Sequence, residues 1–224
     1  FGLGQPTGID LPGEVGGFVP SPEWKEKMHH LKWLGGDTLN MSIGQGFLAI
    51  SPLQMANIVA MIANEGKVYR PSVLLEVRDA VSGAVVRRTT PEVLHVSAIR
   101  RETFRTVQQA MRKVITDGTA SVVITTKAVE VAGKTGTGEA GYEDRWHSWF
   151  AAYAPYQTDD PGERVVVVVM VEAANEWEWW APKAADVIFQ GIFARQTFEE
   201  AVQKLKPWWY LEQKRRAQEE ERRE

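Results

Sequence analysis

The sequence predicts a mixed α/β domain of the α+β kind, and three observations carry that expectation. A capping box with proline in the first turn, Ser51-Pro52-Leu53-Gln54, opens a nearly all-apolar segment that Asn64-Glu65-Gly66 stops, which marks a helix buried on most sides. A second helix is expected from about Arg100 to Thr116, where Phe104, Val107, Met111 and Ile115 recur on one face before Asp117-Gly118. Seven consecutive branched or apolar residues, Val165 to Val171, read as a central strand covered on both faces.

The remaining elements follow in order. Residues 1–22 are dense in glycine and proline and cannot hold a regular helix, so they read as an ordered surface loop. Phe1, Leu3, Ile9, Leu11, Phe18 and Val19 within it suggest that the loop packs down. Ser72 to Arg78 and Ala84 to Thr89, parted by Asp79-Ala80-Val81-Ser82-Gly83, form a β-hairpin. Arg101, Arg105, Arg112 and Lys113 fall off the apolar face of the second helix and are expected to be solvated. Ala128-Val129-Glu130-Val131 alternates as a half-buried strand does and leads into Gly133-Lys134-Thr135-Gly136-Thr137. An aromatic strand spans Trp146 to Pro155, the apolar strand is placed at its side next to the Lys134 strand, and one long helix is expected from Pro182 to about Leu205. The segment from Glu212 to Glu224 holds five basic and five acidic residues and reads as exposed helix or disorder. The domain is therefore taken as residues 1–205, followed by a charged tail at 206–224.

Composition narrows the function. With 44% apolar and 25% charged residues the chain is an ordinary globular protein, and a net charge of -3 without basic aromatic runs argues against nucleic acid. It has no cysteine, which excludes disulfides and thiolate metal sites. His29, His30, His95 and His147 sit in no metal-ligand spacing, so no metal is expected. Tryptophans at 177, 179, 180, 208 and 209 are read as packing residues. Gly44-Gln45-Gly46-Phe47-Leu48-Ala49 fits a dinucleotide pattern, yet the helix begins at Ser51 rather than within the glycines. Close backbone packing behind the buried helix is the expected role instead. Gly133-Lys134-Thr135 lacks the upstream glycine of a phosphate loop, Ala128 standing in its place. No cofactor is expected.

What remains is Lys134-Thr135-Gly136-Thr137. A strand carrying it offers a backbone edge to an extended ligand, a hydroxyl on either side of a glycine, and a fixed positive charge. Those parts suit a peptide that ends in a carboxylate. The same residues also fit a turn followed by a solvated lysine.

Taken in order, several stretches resemble one family, the class B penicillin-binding proteins. They are Gly8-Ile9-Asp10-Leu11-Pro12-Gly13-Glu14, Gly36-Asp37, Ser42-Ile43-Gly44-Gln45-Gly46, Pro52-Leu53-Gln54-Met55-Ala56, Ala63-Asn64-Glu65-Gly66, Gly118-Thr119-Ala120, Gly133-Lys134-Thr135-Gly136-Thr137 and Trp149-Phe150 to Ala154-Pro155. The resemblance runs from Phe1 to about Phe193, and its Ile43-Gly44-Gln45-Gly46 version is similar to the elongation branch rather than the septal one. It implies a penicillin-recognising serine transpeptidase fold, an antiparallel sheet flanked by helices, with the N-terminal part of the domain missing from this chain. It implies a peptidoglycan D,D-transpeptidase that β-lactams inhibit. Lys134 and Thr137 would be catalytic, while Thr135, Gly136 and Thr137 would bind the substrate carboxylate and acyl group, with the Thr137 N–H as an oxyanion donor.

The resemblance also implies partners: peptidoglycan stem peptides, β-lactam antibiotics, a glycosyltransferase and other elongation-complex membrane proteins, and the missing N-terminal part of the same protein. It places the enzyme on the periplasmic side of the bacterial cytoplasmic membrane, anchored by an upstream segment. No serine has lysine three residues on, and none has asparagine or aspartate two residues on. The nucleophile is therefore expected upstream of Phe1, and the chain alone is expected to be inactive. The alternatives are a non-catalytic fragment or regulatory module of the same fold that binds partner proteins, and a septal relative serving division. Where relatives have a glycine-rich loop, this chain has Glu172 to Trp180.

Overall fold

A computed structural model describes residues 1–139, 145–173 and 179–203. The chain runs through α1 (Pro22–His29), α2 (Gly35–Ser42) and α3 (Pro52–Ala63), then β1 (Lys67–Tyr69), β2 (Glu76–Arg78), β3 (Val85–Arg88) and β4 (Val93–Val96). After α4 (Arg101–Thr116) come β5 (Ala132–Glu139), β6 (Trp146–Ala154), β7 (Val165–Ala173) and α5 (Trp180–Ala194). The main sheet is antiparallel in the order β5-β6-β7, and β1 with β4 and β2 with β3 form two small antiparallel pairs.

Helices cover both faces of the main sheet. On one face Phe150, Ala152, Ala154 and Val167 pack with Ala181, Ala185 and Phe189 of α5. On the other, Ala132, Ala151 and Tyr153 meet Val59 and Ala63 of α3, joined by the half-buried Val166 and Val168. α4 straddles the β5 side, giving Met111 to the α3 face and Ile115 to the α5 face. The apolar run of β7 is thus covered on both faces, as expected. Its place in the sheet is not the expected one. β7 pairs with β6, β6 is the middle strand, and Met170 is 39% exposed. An apolar run reports what lies above and below a strand, not what lies beside it.

Local signals decided several boundaries. Ser51 Oγ accepts from Gln54 N and Gln54 Oε1 from Ser51 N, so the capping box forms and α3 starts at Pro52. In α4 the buried stripe is Phe104, Gln108, Met111 and Ile115, whereas Val107 is 38% exposed. Gln108 displaces Val107 because the last carbonyls of α3 need donors, and its Nε2 donates to Ile62 at 2.7 Å. Arg112 is not solvated either; its guanidinium donates to the Val131 carbonyl at 2.9 Å and pairs with Glu130 at 3.0 Å. The hairpin at 72–89 forms with shorter strands than expected. The strand expected from Ala128 begins at Ala132, although Tyr156 N still donates to the Glu130 carbonyl at 2.7 Å.

The long terminal helix is two. α5 ends at Ala194, with Arg195 left-handed at φ 54, and a helical turn restarts over 198–203. Thr197-Phe198-Glu199-Glu200 is a second capping box: Glu200 N donates to Thr197 Oγ and Thr197 N to Glu200 Oε2. The charged tail, Trp177, Trp208 and Trp209 lie outside the described residues.

The opening loop does pack down, but through polar anchors. Phe1, Leu11 and Val19 are exposed. Glu14 accepts from Thr7 N, Thr7 Oγ and Gly8 N, while Asp10 accepts from Ser72 Oγ and Val73 N. The Thr7 and Ser72 hydroxyls hold the Glu14 and Asp10 carboxyls below their ordinary values. Gln54 Nε2 donates to the Gly16 and Gln5 carbonyls, tying the loop to α3.

Asp186 of α5 is fully buried and accepts from Thr125 N, Thr125 Oγ, Thr126 N and Gln190 Nε2 at 2.7–2.9 Å. Asp186→Ala leaves those donors buried and unpaired, and should lower stability by roughly 2–4 kcal/mol in denaturant unfolding, with Asp186→Asn falling between it and the parent. Tyr153 is fully buried and its hydroxyl has no partner among the described residues. Burial pushes it up from 10.0 to about 12, the Arg164 charge opposing. The folded state therefore keeps a proton that the unfolded chain releases, and stability is lost as pH rises from about 10 to about 12. Tyr153→Phe should leave the neutral-pH Tm level or slightly higher and shrink the alkaline fall, read from Tm against pH.

Candidate active site on the free edge of β5

Among the described residues, β5 pairs with another strand on one side only. Just before β5, the Glu130 carbonyl accepts from Tyr156, just past the end of β6. The odd-numbered carbonyls turn away: Val131 accepts from Arg112, Thr135 from Lys134 Nζ at 2.6 Å, and Thr137 from Gln45 Nε2 at 3.4 Å. In an antiparallel ladder the N–H and C=O of one residue point the same way. The Thr135 and Thr137 amides therefore also face outward, on an edge where an extended ligand can pair as an added strand.

Side chains sort by the same alternation. Lys134 and Gly136 lie opposite Ala151 and Trp149, on the α3 side; Thr135 and Thr137 lie opposite Phe150 and Ser148, on the α5 side. Lys134, Gly136 and Thr137 are exposed and Thr135 is half-buried. The four expected residues thus form one short exposed stretch with a cation, two hydroxyls and outward amides. Thr119 joins them, its Oγ 3.1 Å from Thr135 Oγ. Gly118-Thr119-Ala120 stood out in the sequence without a role for its threonine; the contact spans 16 residues and has no local signal.

The two glycines before Thr137 do different work. A Cβ on Gly133 would fall 2.7 Å from Ala152 Cβ and 2.8 Å from Phe150 Cζ, so β5 needs a bare backbone to approach β6 there. A Cβ on Gly136 would meet only Trp149 Cβ, at 3.4 Å. The Gly44–Gly46 pair is not there for close packing, contrary to expectation: nothing lies within 4 Å of a Cβ on Gly44, and both glycines sit at positive φ, 78 and 77. They turn the chain so that Gln45 reaches β5.

An antiparallel sheet covered by helices on both faces, with Lys-Thr-Gly-Thr on an outer strand open along one edge, defines a penicillin-recognising fold. The chain belongs to the penicillin-binding protein transpeptidase domain family, which it matches over residues 1–194. It is a class B transpeptidase domain, and several of its relatives are peptidoglycan D,D-transpeptidases named MrdA. It is 33% identical over 199 residues to the peptidoglycan D,D-transpeptidase MrdA of Haemophilus influenzae, covering 78% of this chain and 28% of that protein. Among solved structures, penicillin-binding protein 2 of Pseudomonas aeruginosa in complex with WCK 5153 superposes with a TM-score of 0.66 at 30% identity, covering 84% of this chain and 41% of that one. Penicillin-binding protein 2 of Helicobacter pylori in complex with MreC gives 0.65 at 25% identity, covering 93% and 34%. The chain spans 28% of the length of the MrdA relative.

Gly133→Ala should lower stability by about 1–3 kcal/mol, because backbone and core must shift to admit the methyl group. Gly136→Ala should change the melting temperature little or raise it slightly. Paired melting curves check both.

Proposed function

We propose that this chain supplies the Lys-Thr-Gly-Thr wall of the active site of a peptidoglycan D,D-transpeptidase that cross-links stem peptides during cell elongation. The observation that carries the reading is the free edge of β5, where outward amides, two hydroxyls and a cation stand together on an exposed strand. A stem peptide ending in D-Ala-D-Ala pairs along this edge. Lys134 leaves the Thr135 carbonyl to meet the terminal carboxylate, which the Thr135 and Thr137 hydroxyls also bind. Gly136, lacking a side chain, lets the acyl group lie flat against the strand. As a serine attacks the penultimate carbonyl, the Thr137 N–H receives the developing oxyanion. D-Alanine leaves, and an amine from a second strand resolves the acyl-enzyme. A β-lactam enters the same path and stops at the acyl stage.

No serine here stands three residues before a lysine, so the nucleophile comes from another part of a longer protein, and the chain alone does not acylate. No helix among the described residues is long and apolar enough to cross a membrane. In this reading the domain of residues 1–205, with its charged tail at 206–224, works on the periplasmic side of the cytoplasmic membrane, held by an anchor outside this chain. Its partners are a glycosyltransferase and other membrane proteins of the elongation complex, in keeping with the relative solved with MreC.

In the complete enzyme, Lys134→Ala removes a charge-assisted contact worth about 1.5–3 kcal/mol, so acylation by a penicillin should slow by roughly one to two orders of magnitude. Melting should barely move, since Lys134 is exposed. Thr137→Val should be milder, because the oxyanion N–H belongs to the backbone. Stopped-flow acylation with a fluorescent penicillin measures both, with this chain alone as the unlabelled control. Unchanged acylation in Lys134→Ala would leave a solvated lysine and remove the assignment.

A further inference from the structure

The β5 edge is met by a side chain from far away in the sequence. Gln45 Nε2 donates to the Thr137 carbonyl across 92 residues. Nothing in a generic strand edge requires this, and the loop that delivers it is built for the purpose. Gly44 and Gly46 flank Gln45 at positive φ, and the turn is pinned to the end of α2 by Gly44 N donating to Met41 and Gln45 N to Asn40. α2 is held in turn by Asp37, which accepts from Leu34 N at 2.7 Å and from the buried Lys25 of α1 at 2.5 Å. Phe47, just beyond the loop, packs edge-on to Trp24 and tilted against His29.

The receiving end is as particular. Thr137 stands between Gly136 and Gly138, neither of which has a side chain to fix the backbone against neighbours. The ladder to β6 holds only the even positions, so the Thr137 groups that face outward depend on contacts made on the open side.

We propose that Gln45 is a positioning residue for the transpeptidase reaction: it tethers the Thr137 carbonyl and so restrains the Thr137 backbone, whose own N–H in the preceding peptide unit receives the oxyanion. The inference rests on the reading of β5 as the acyl site. The carbonyl oxygen has two lone pairs, so Gln45 keeps one while a ligand N–H takes the other. Gln45 touches no reacting atom and acts through the Thr137 backbone.

The test uses the complete enzyme with Gln45→Met, which keeps length without a donor, and Gln45→Glu, which keeps shape but sets a carboxylate against the carbonyl. Acylation by a fluorescent penicillin is resolved into the pre-acylation dissociation constant and the acylation rate constant, beside Tm and hydrogen exchange of the β5 peptide. Loss of one hydrogen bond predicts a roughly three- to tenfold slower acylation step in Gln45→Met, and at least as much in Gln45→Glu, with dissociation constant and Tm nearly unchanged. Exchange at residues 136–138 should rise in both. Gln45→Asn, too short to reach, should behave as Gln45→Met does. Acylation equal to the parent's, a loss confined to the dissociation constant, a loss accompanied by an equal fall in Tm, or unchanged exchange at 136–138 each overturns the proposal. If the parent acylates but Lys134→Ala does so equally well, the acyl-site reading fails by itself, and the role of Gln45 falls with it even if exchange rises.

Discussion

Even-numbered residues of β5 direct their backbone groups to β6, and odd-numbered residues turn theirs to the open side. An open strand edge invites unwanted pairing, so the domain has to guard it without closing it. It does so at three places. Arg112 covers the Val131 carbonyl where α4 still lies against the strand. Lys134 folds back onto the Thr135 carbonyl, using a charged side chain to protect its own edge. Gln45 reaches the Thr137 carbonyl from the α2 loop. All three contacts leave the amides of Thr135 and Thr137 available, which is what a strand-like ligand needs.

Keeping β5 close to β6 is the second half of the same arrangement. Gly133 has no room for a Cβ, and Phe150 and Ala152, the residues it touches, belong to the core under α5. The site is therefore mounted on a strand packed directly against the core. Asp186 fastens α5 to the chain leading into β5, through the amides of Thr125 and Thr126. A buried carboxylate with four donors is rigid when satisfied and costly when any partner is lost.

Several residues that carry the family resemblance turn out to be structural. Asp10 and Glu14 organise the opening loop, Gln54 ties that loop to α3, and Asp37 locks α2 to α1. Each accepts from or donates to backbone in segments rich in glycine and proline, where no ladder satisfies the main chain. The loop is ordered by polar contacts, which is why its apolar residues could remain in part exposed.

Elements whose signals are local were legible in the chain. The cap at Ser51, the amphipathic helix from about Arg100 to Thr116, the 72–89 hairpin, the aromatic strand and the both-faces coverage of β7 all follow from residues within a few positions of one another. So does the chemistry of Lys134, Thr135, Gly136 and Thr137, since a lysine, two hydroxyls and a bare glycine are adjacent in the chain. Other local signals were present but weak: the Thr197–Glu200 box breaks the last helix, and β1, β4, α1 and α2 are too short to show a period. Three features come from contacts between distant segments: β6 rather than β7 is the middle strand, Gln108 replaces Val107 in the buried stripe of α4, and Thr119 and Gln45 reach the β5 strand. Strand order depends on which edges meet, and a buried glutamine depends on which carbonyls another helix leaves without donors. Those are properties of partners distant in the chain, and a pattern of side chains along one segment carries no record of them.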